Sequence, residues 1–323
     1  MKKIFMALFL VLTLFLFSNV LTIYTYESLS WIEESVISSF EEMHNCKVNV
    51  IKLGGAGTLL NRLRLEKVRP RADVVIGLDQ SLSLLAVREN LLIPYMPNNI
   101  INLTDLNLIT DRDFYVTPFS YGAIAIIYDP ERIPVLPNTF EDLTKNPSSL
   151  IIQNPRSSST GQAFLLWTIA VFKDDWQDFW RELKPAILTV TNGWSESFSR
   201  FEKGEAPMMV SYATDGAYSH YYYGSTRYKA FMPKEGGYVQ IEGAGIVNGT
   251  KNLELAQKFI EFVLTDDFQK EIPLNQWMFP VTDVEMPESF NYALKPEKIL
   301  KISSEDLTNN LEKWLDEWEK IMF

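Results

Sequence analysis

The sequence is short of the residues that most often carry chemistry. Cys46 is its single cysteine, so no disulfide can form within the chain. His44 and His220 are its two histidines, and neither stands at zinc-ligand spacing from the other or from Cys46. No P-loop, no G-x-G-x-x-G and no G-x-S-x-G element occurs, which removes the simplest phosphate, dinucleotide and serine-hydrolase readings. Carboxylates are common, but no pair stands out as an acid/base couple. Positive charge is scarce: 30 Lys and Arg face 41 Asp and Glu, for a net charge of −11. Nucleic acid is therefore disfavoured as a partner, since phosphate neutralisation needs a basic face. An acidic chain instead tolerates, and weakly steers, a cationic ligand. There is no internal repeat, no low-complexity tract and no linker rich in Gly or Ser.

One long apolar run is present, Ile4–Phe17, preceded by Lys2 and Lys3. It is too short to span a bilayer comfortably and has the charged start and short core of a secretory signal. We read residues 1–18 as a signal peptide, with Ser18 as a small residue for cleavage and an uncleaved anchor as the alternative. Either one puts the rest of the chain in the periplasm or on the extracytoplasmic face. No cysteine follows the run closely enough to make a lipoprotein site. Loss of the two lysines takes the net charge from −11 to −13.

The remaining chain reads as α/β. At 323 residues, with 46% hydrophobic and 22% charged residues, it is long enough for two lobes with ordinary cores. Leu21–Tyr26 and Lys47–Leu53 have strand character, and Ala72–Leu78 is a continuous apolar strand of the buried parallel type. Helical periodicity lies between and after them, over Trp31–Met43, Leu59–Val68 and Ser81–Asn90. Gly54–Gly57 and Pro94–Asp113 read as loops, and Thr117–Asp129 as an extended segment broken at Gly122. A second α/β set follows: LIIQN, a helix from Gly161, Trp176–Leu183, ILTVT, a helix from Trp194 to Gly204, and MMVSYA. Glu254–Leu264 and Leu307–Met322 are strong amphipathic helices. The alternation is that of a layered α/β domain.

Candidate binding residues are aromatics set among small polar residues at loop positions. Tyr26 and Asp79 end the first and third strands, and ligands of open parallel sheets sit at such carboxyl ends. In SSSTG (Ser157–Gly161) hydroxyls precede a helix start, which suits either a phosphate or hydroxyl of a ligand or a plain N-cap. Trp194 opens a helix after a strand, SYATDGAY carries Tyr212 and Asp215, and Trp277 lies in a loop. Flat π-faces beside carboxylates make a site for a flat organic cation. The run HYYYG offers Tyr221–Tyr223 as ferric-iron ligands or as a simple helix end. Cys46, where a helix runs into a strand, reads as a packed thiol.

The segments YTYES (Tyr24–Ser28), LLNRLRLEK (Leu59–Lys67), TNGWSESFSRFEKGEAPMMVSY (Thr191–Tyr212) and IPLNQWMFPV (Ile272–Val281) together resemble the periplasmic thiamine-binding proteins of ABC importers. ADVVIGLDQ and LELAQKFIEFVLTDDFQ fit solute-binding proteins generally. The resemblance spans nearly the whole mature chain. It implies a two-lobed type II periplasmic binding protein fold with a hinged interlobe cleft. We place the crossings near Gly122 and Gln240, giving lobe 1 as 19–122 plus 240–283 and lobe 2 as 123–239 plus 284–323. It implies ligand contacts from Trp194, from Tyr212, Ala213, Thr214 and Asp215, from Ser158 and Ser159, and from Gly55 and Ala56. Tyr26, Asp79 and Trp277 are further cleft candidates. It also implies no metal, no cofactor beyond a thiamine-type ligand, no catalysis, a membrane permease as partner, and a monomer. The rivals are a ferric-iron carrier of the same fold and a thiamine-degrading enzyme using Cys46. The chain departs from the family at GGAG (Gly54–Gly57) and at Ser120, where acidic residues are frequent, and at Asp215, where serine is. Asp215 is thus expected to supply the negative charge for a cationic ligand.

Overall fold

A computed structural model describes residues 20–323 except 226 and 234. The signal segment 1–18 lies outside the described residues. The chain begins with β1 (Val20–Tyr26), α1 (Trp31–Ser35), α2 (Ile37–His44), β2 (Lys47–Leu53), α3 (Ala56–Leu65), β3 (Val74–Asp79), α4 (Gln80–Arg88) and β4 (Leu92–Ile93). Next come β5 (Thr117–Tyr128), α5 (Phe140–Leu143), β6 (Leu150–Gln153), α6 (Ser159–Phe172), α7 (Trp176–Leu183), β7 (Ile187–Thr191), α8 (Trp194–Glu202), β8 (Met208–Tyr212) and α9 (Asp215–Tyr223). The last part holds β9 (Lys229–Phe231), β10 (Gly237–Val247), α10 (Leu253–Phe262), α11 (Asp266–Gln269), α12 (Ile272–Asn275), β11 (Phe279–Pro280), β12 (Ile299–Leu300) and α13 (Ser304–Met322).

The strand order is β2-β1-β3-β10-β5-β8-β6-β7. Two parallel groups, β2-β1-β3 and β8-β6-β7, are joined through β10 and β5, which run antiparallel to each other. β3 is buried along its whole length, as its unbroken apolar sequence requires. β5 is continuous, so the expected break at Gly122 does not occur. What changes there is the partner: β5 pairs with β10 up to Ala123 and with β8 from Ile124 onward. Gly122 pairs with Gln240 at this junction. A Cβ on Gly122 would come within 2.6 Å of the Met278 sulfur, so the glycine lets Met278 lie against the strand.

Other boundaries differ for local reasons. The helix expected over Trp31–Met43 is two helices, because Val36 leaves the helical region at φ −120°. Each piece buries its own pair, Trp31 and Ile32 in α1, Ile37 and Phe40 in α2. α3 starts inside the predicted loop, with extended Gly55 as its N-cap. α6 starts at Ser159, with Ser158 as N-cap accepting from the Gly161 amide. α9 was not anticipated as a full helix; Tyr221–Tyr223 form its last turn, closed by left-handed Gly224. α13 returns to α7, where Trp318 meets Trp180 edge to face at 5.7 Å, and it also touches α4, where Arg88 donates to the Thr308 carbonyl. Among the described residues no helix is long and apolar enough to cross a membrane.

Candidate functional site

A cavity of about 250 Å³ opens where strand ends and helix starts from both parallel groups converge. Tyr26 reaches it from the end of β1, and Gly55 and Ala56 from the start of α3. Ser158 and Ser159 enter from the start of α6, Trp194 from the start of α8, and Tyr212 from the end of β8. Asp215 opens α9, and Trp277 closes the site from the loop after α12. Three candidates do not line the cavity. Asp79 is buried and accepts from the Ser81 and Leu82 amides and the Ser81 hydroxyl, so its carboxylate caps α4 instead. Ala213 packs against Ala123 and Ala125, and Thr214 is fully buried in the turn into α9.

The tryptophan of the GWSE element is held on several sides. Gly193 caps α8 in extended conformation and turns Trp194 toward the cavity. Phe198, one helical turn on, stacks on the indole at 4.7 Å and 16°. The indole N–H donates to Ser211 Oγ at 2.9 Å, and Ser211 donates in turn to Asp215. Tyr212 shares a hydroxyl hydrogen bond with Thr160 at 3.0 Å. Trp277 sits at φ 58° and meets Tyr218 edge to face at 5.1 Å.

Two buried carboxylates face this cavity. Burial pushes Asp215 up to about 7, against the pull of the Ser211 hydroxyl and the Tyr212 amide. Glu242 is also pushed up to about 7 by burial, while hydrogen bonds from Tyr26, Gln240 and Gln276 pull the other way. Ser120 Oγ lies 3.4 Å from the same carboxylate. An acidic side chain therefore does stand beside Ser120, supplied by Glu242 in β10. The cavity's described lining contains no Lys, Arg or His.

Glu242 was not among the sequence candidates, nor were Thr160, Phe198, Tyr218 and Gln276, which also line the cavity. Tyr218 and Thr160 lie inside motifs already singled out, Tyr218 one helical turn after Asp215 and Thr160 directly after Ser159. The signal for Glu242 is a charged residue within a strand of small and apolar residues, QIEGAGIV.

A larger cavity, about 520 Å³, lies across the crossing strands and is lined by Tyr121, Ala123, Val239 and Ile241. These alternate with Gly122, Gln240 and Glu242, so they face the opposite side of the sheet. Its two acids are already spent, Asp105 on the Asn107 amide and Asp111 on those of Asp113 and Tyr115. The smaller cavity is the candidate site because the strand ends, helix starts and free aromatic faces meet there.

The rival chemistries find little footing. Tyr221, Tyr222 and Tyr223 are 52%, 56% and 40% exposed on consecutive positions of α9. Consecutive helical side chains diverge by about 100°, so these three cannot converge on one ion. Among the described residues no cluster of three or more His, Cys, Asp or Glu forms a metal site. Cys46 is buried between α2 and β2, away from the cavity, and burial pushes its thiol up.

Comparison with known proteins bears on the family and the fold. The sequence profile of bacterial extracellular solute-binding proteins matches residues 69–310. The thiamine-binding periplasmic protein of Brucella melitensis is 37% identical over 309 residues, covering 92% of this chain and 90% of the relative. A solved periplasmic thiamin binding protein superimposes with a TM-score of 0.88 at 34% identity, covering 94% of this chain and 96% of that one. The apo ferric ion-binding protein A of Pasteurella haemolytica, at 18% identity and a TM-score of 0.77, shares the fold alone. The two-lobed architecture is thus the type II periplasmic binding protein fold, and the chain belongs to the bacterial extracellular solute-binding protein family.

Proposed function

We propose that this chain is an extracytoplasmic receptor that captures thiamine in the interlobe cleft and hands it to a membrane ABC permease. The observation that carries the reading is the cavity's chemistry. Aromatic faces from Tyr26, Trp194, Tyr212, Tyr218 and Trp277 surround it, Asp215 and Glu242 supply negative charge, and its described lining holds no cation. A flat cationic heterocycle gains from ring faces and from desolvation beside a carboxylate. The ligand is bound and released unchanged, by a monomer without a cofactor or metal.

The lobes are taken as 19–122 plus 240–283 and 123–239 plus 284–323. The partner change in β5 between Ala123 and Ile124, and the pairing of Gly122 with Gln240, support hinges at those points. Ligand would bind by hinge closure. Gly55, Ala56, Tyr26 and Trp277 would close on it from lobe 1, and Ser158, Ser159, Trp194, Tyr212 and Asp215 from lobe 2. Ser158 and Ser159, at the start of α6, would face the hydroxyethyl end or a phosphate on it. Asp79, Ala213 and Thr214 would support the site from behind its walls.

Calorimetric titration of refolded, ligand-free protein with thiamine, then with its phosphates, tests the reading. One-to-one binding is expected. No heat with any thiamine form would overturn it. Ferric iron is expected to give no coloured tyrosinate complex, and thiamine is expected to be recovered intact after long incubation.

A further inference from the structure

Trp194 has one aromatic face covered by Phe198 at 4.7 Å. Its only polar atom, the indole N–H, is tied to Ser211 at 2.9 Å. An indole N–H can only donate, so Ser211 Oγ must be the acceptor of that bond. The hydroxyl proton of Ser211 is then directed to Asp215, which the structure places within hydrogen-bond reach. Ser211 is fully buried in β8 and does not line the cavity, so it cannot touch a ligand. Asp215 is 2% exposed. The chain Trp194–Ser211–Asp215 therefore has one polarity, running from the ring to the carboxylate.

We infer that Ser211 is a positioning residue, which fixes the indole plane of Trp194 so that its uncovered face is preset toward a flat cation in the cleft. Asp215 is the terminal acceptor, and an ionised acceptor strengthens such a bond. With Phe198 on one face and Ser211 on the edge, rotation about the side-chain bonds of Trp194 would break a stack or a hydrogen bond. A preset ring spares the ligand the entropy of ordering it. The inference deepens the thiamine reading and rests on it for the identity of the ligand.

The test is a double-mutant cycle with Trp194→Phe and Ser211→Ala. Phenylalanine keeps an aromatic face and lacks the N–H. Alanine lacks the hydroxyl and leaves every cavity-lining residue in place. Each single variant is expected to weaken thiamine binding by about tenfold, and the double variant to be no more than about twofold worse than the weaker single. Near-ultraviolet circular dichroism of the ligand-free proteins supplies a second readout. Ser211→Ala is expected to change the tryptophan bands, while Asp215→Asn, whose amide oxygen still accepts from Ser211, is expected to keep them. Additive losses in the cycle, or unchanged affinity in Ser211→Ala, would overturn the inference. If the wild type ignores thiamine, the ligand reading fails by itself. The ligand-free spectra then decide the tether, and unchanged tryptophan bands in Ser211→Ala would sink it. Should Ser211→Ala fail to fold, Ser211→Cys, which keeps the volume and weakens the acceptor, is read in the same two ways: additive losses with Trp194→Phe, or unchanged tryptophan bands, would overturn the inference.

Discussion

Glu242 collects hydrogen bonds from Tyr26, Gln240 and Gln276 on its two oxygens, with Ser120 at 3.4 Å. Every one of these partners offers a proton, so the site is built for an acceptor. In Glu242→Gln one oxygen becomes an NH₂ that cannot accept, and at least one buried donor loses its partner. At pH 5, where the Glu242 carboxyl is already neutral and no buried charge is relieved, the loss is expected to cost about 1–3 kcal/mol of stability. A thermal or urea melt of the ligand-free variant measures it, and a melt equal to the wild type would refute this account. The same residue marks what was hard to see beforehand. Trp194, Tyr212 and Asp215 stand at strand ends and turns, where position alone advertises a site. Glu242 stands inside a strand and becomes part of the site only because β10 lies against β3 and β5. Asp79 is the converse: it ends a strand, yet the serine two residues on makes it a helix cap.

Elements from the two parallel strand groups touch at the cleft through backbone and side chain. The Gly57 amide donates to the Ser157 carbonyl at 3.1 Å, and the hydroxyls of Ser28 and Ser195 lie 2.9 Å apart. A Cβ added to Gly57 would come within 2.1 Å of the Arg156 carbonyl oxygen. Backbone at this distance cannot swing aside as a flexible side chain does. Gly57→Ala is therefore expected to hold the start of α3 away from the loop before α6, and the cleft ajar. Within α3 itself, alanine favours the helix by up to about 1 kcal/mol. The variant should thus keep or slightly raise its ligand-free melting temperature while losing at least about tenfold in thiamine affinity. Calorimetry and small-angle scattering with and without ligand check this, and wild-type affinity in Gly57→Ala would show that the contact does not limit closure. The GGAG segment was legible only as a loop, because nothing local to Gly54–Gly57 reveals that its neighbour is Arg156–Ser157, about a hundred residues away. The elements around it were largely legible from periodicity, except where one residue such as Val36 breaks an otherwise helical pattern.

Across the molecule, the alternation of strands and helices identified the layered architecture, and Gly122 and Gln240, where crossings were expected, are register partners. The burial of charge could not be read in advance, because it depends on how the halves meet. Asp215 and Glu242 are both held up to about 7 by that burial. Ordinary carboxylates titrate near 4, so both groups lose their protons on unfolding at pH values between about 4 and about 7. Their contribution to ligand-free stability is full below about 4 and is lost as pH rises through about 7. Asp142 acts in the opposite sense and in a separate window. Lys145 and the Asn138 amide hold it down at about 2, so its contribution is lost only as pH falls toward that value. A cationic ligand favours the ionised forms of Asp215 and Glu242, and its binding therefore expels protons. Thiamine affinity is expected to rise between pH 5 and 7, by at most about tenfold per pH unit for each group, and to level off above about pH 8. Titrations at pH 6.5 in two buffers of different ionisation enthalpy would report the released protons directly. Asp215→Asn should lower that proton count and leave the share due to Glu242. Equal heats in both buffers, with an affinity independent of pH, would mean that neither carboxylate changes its charge when the cleft fills.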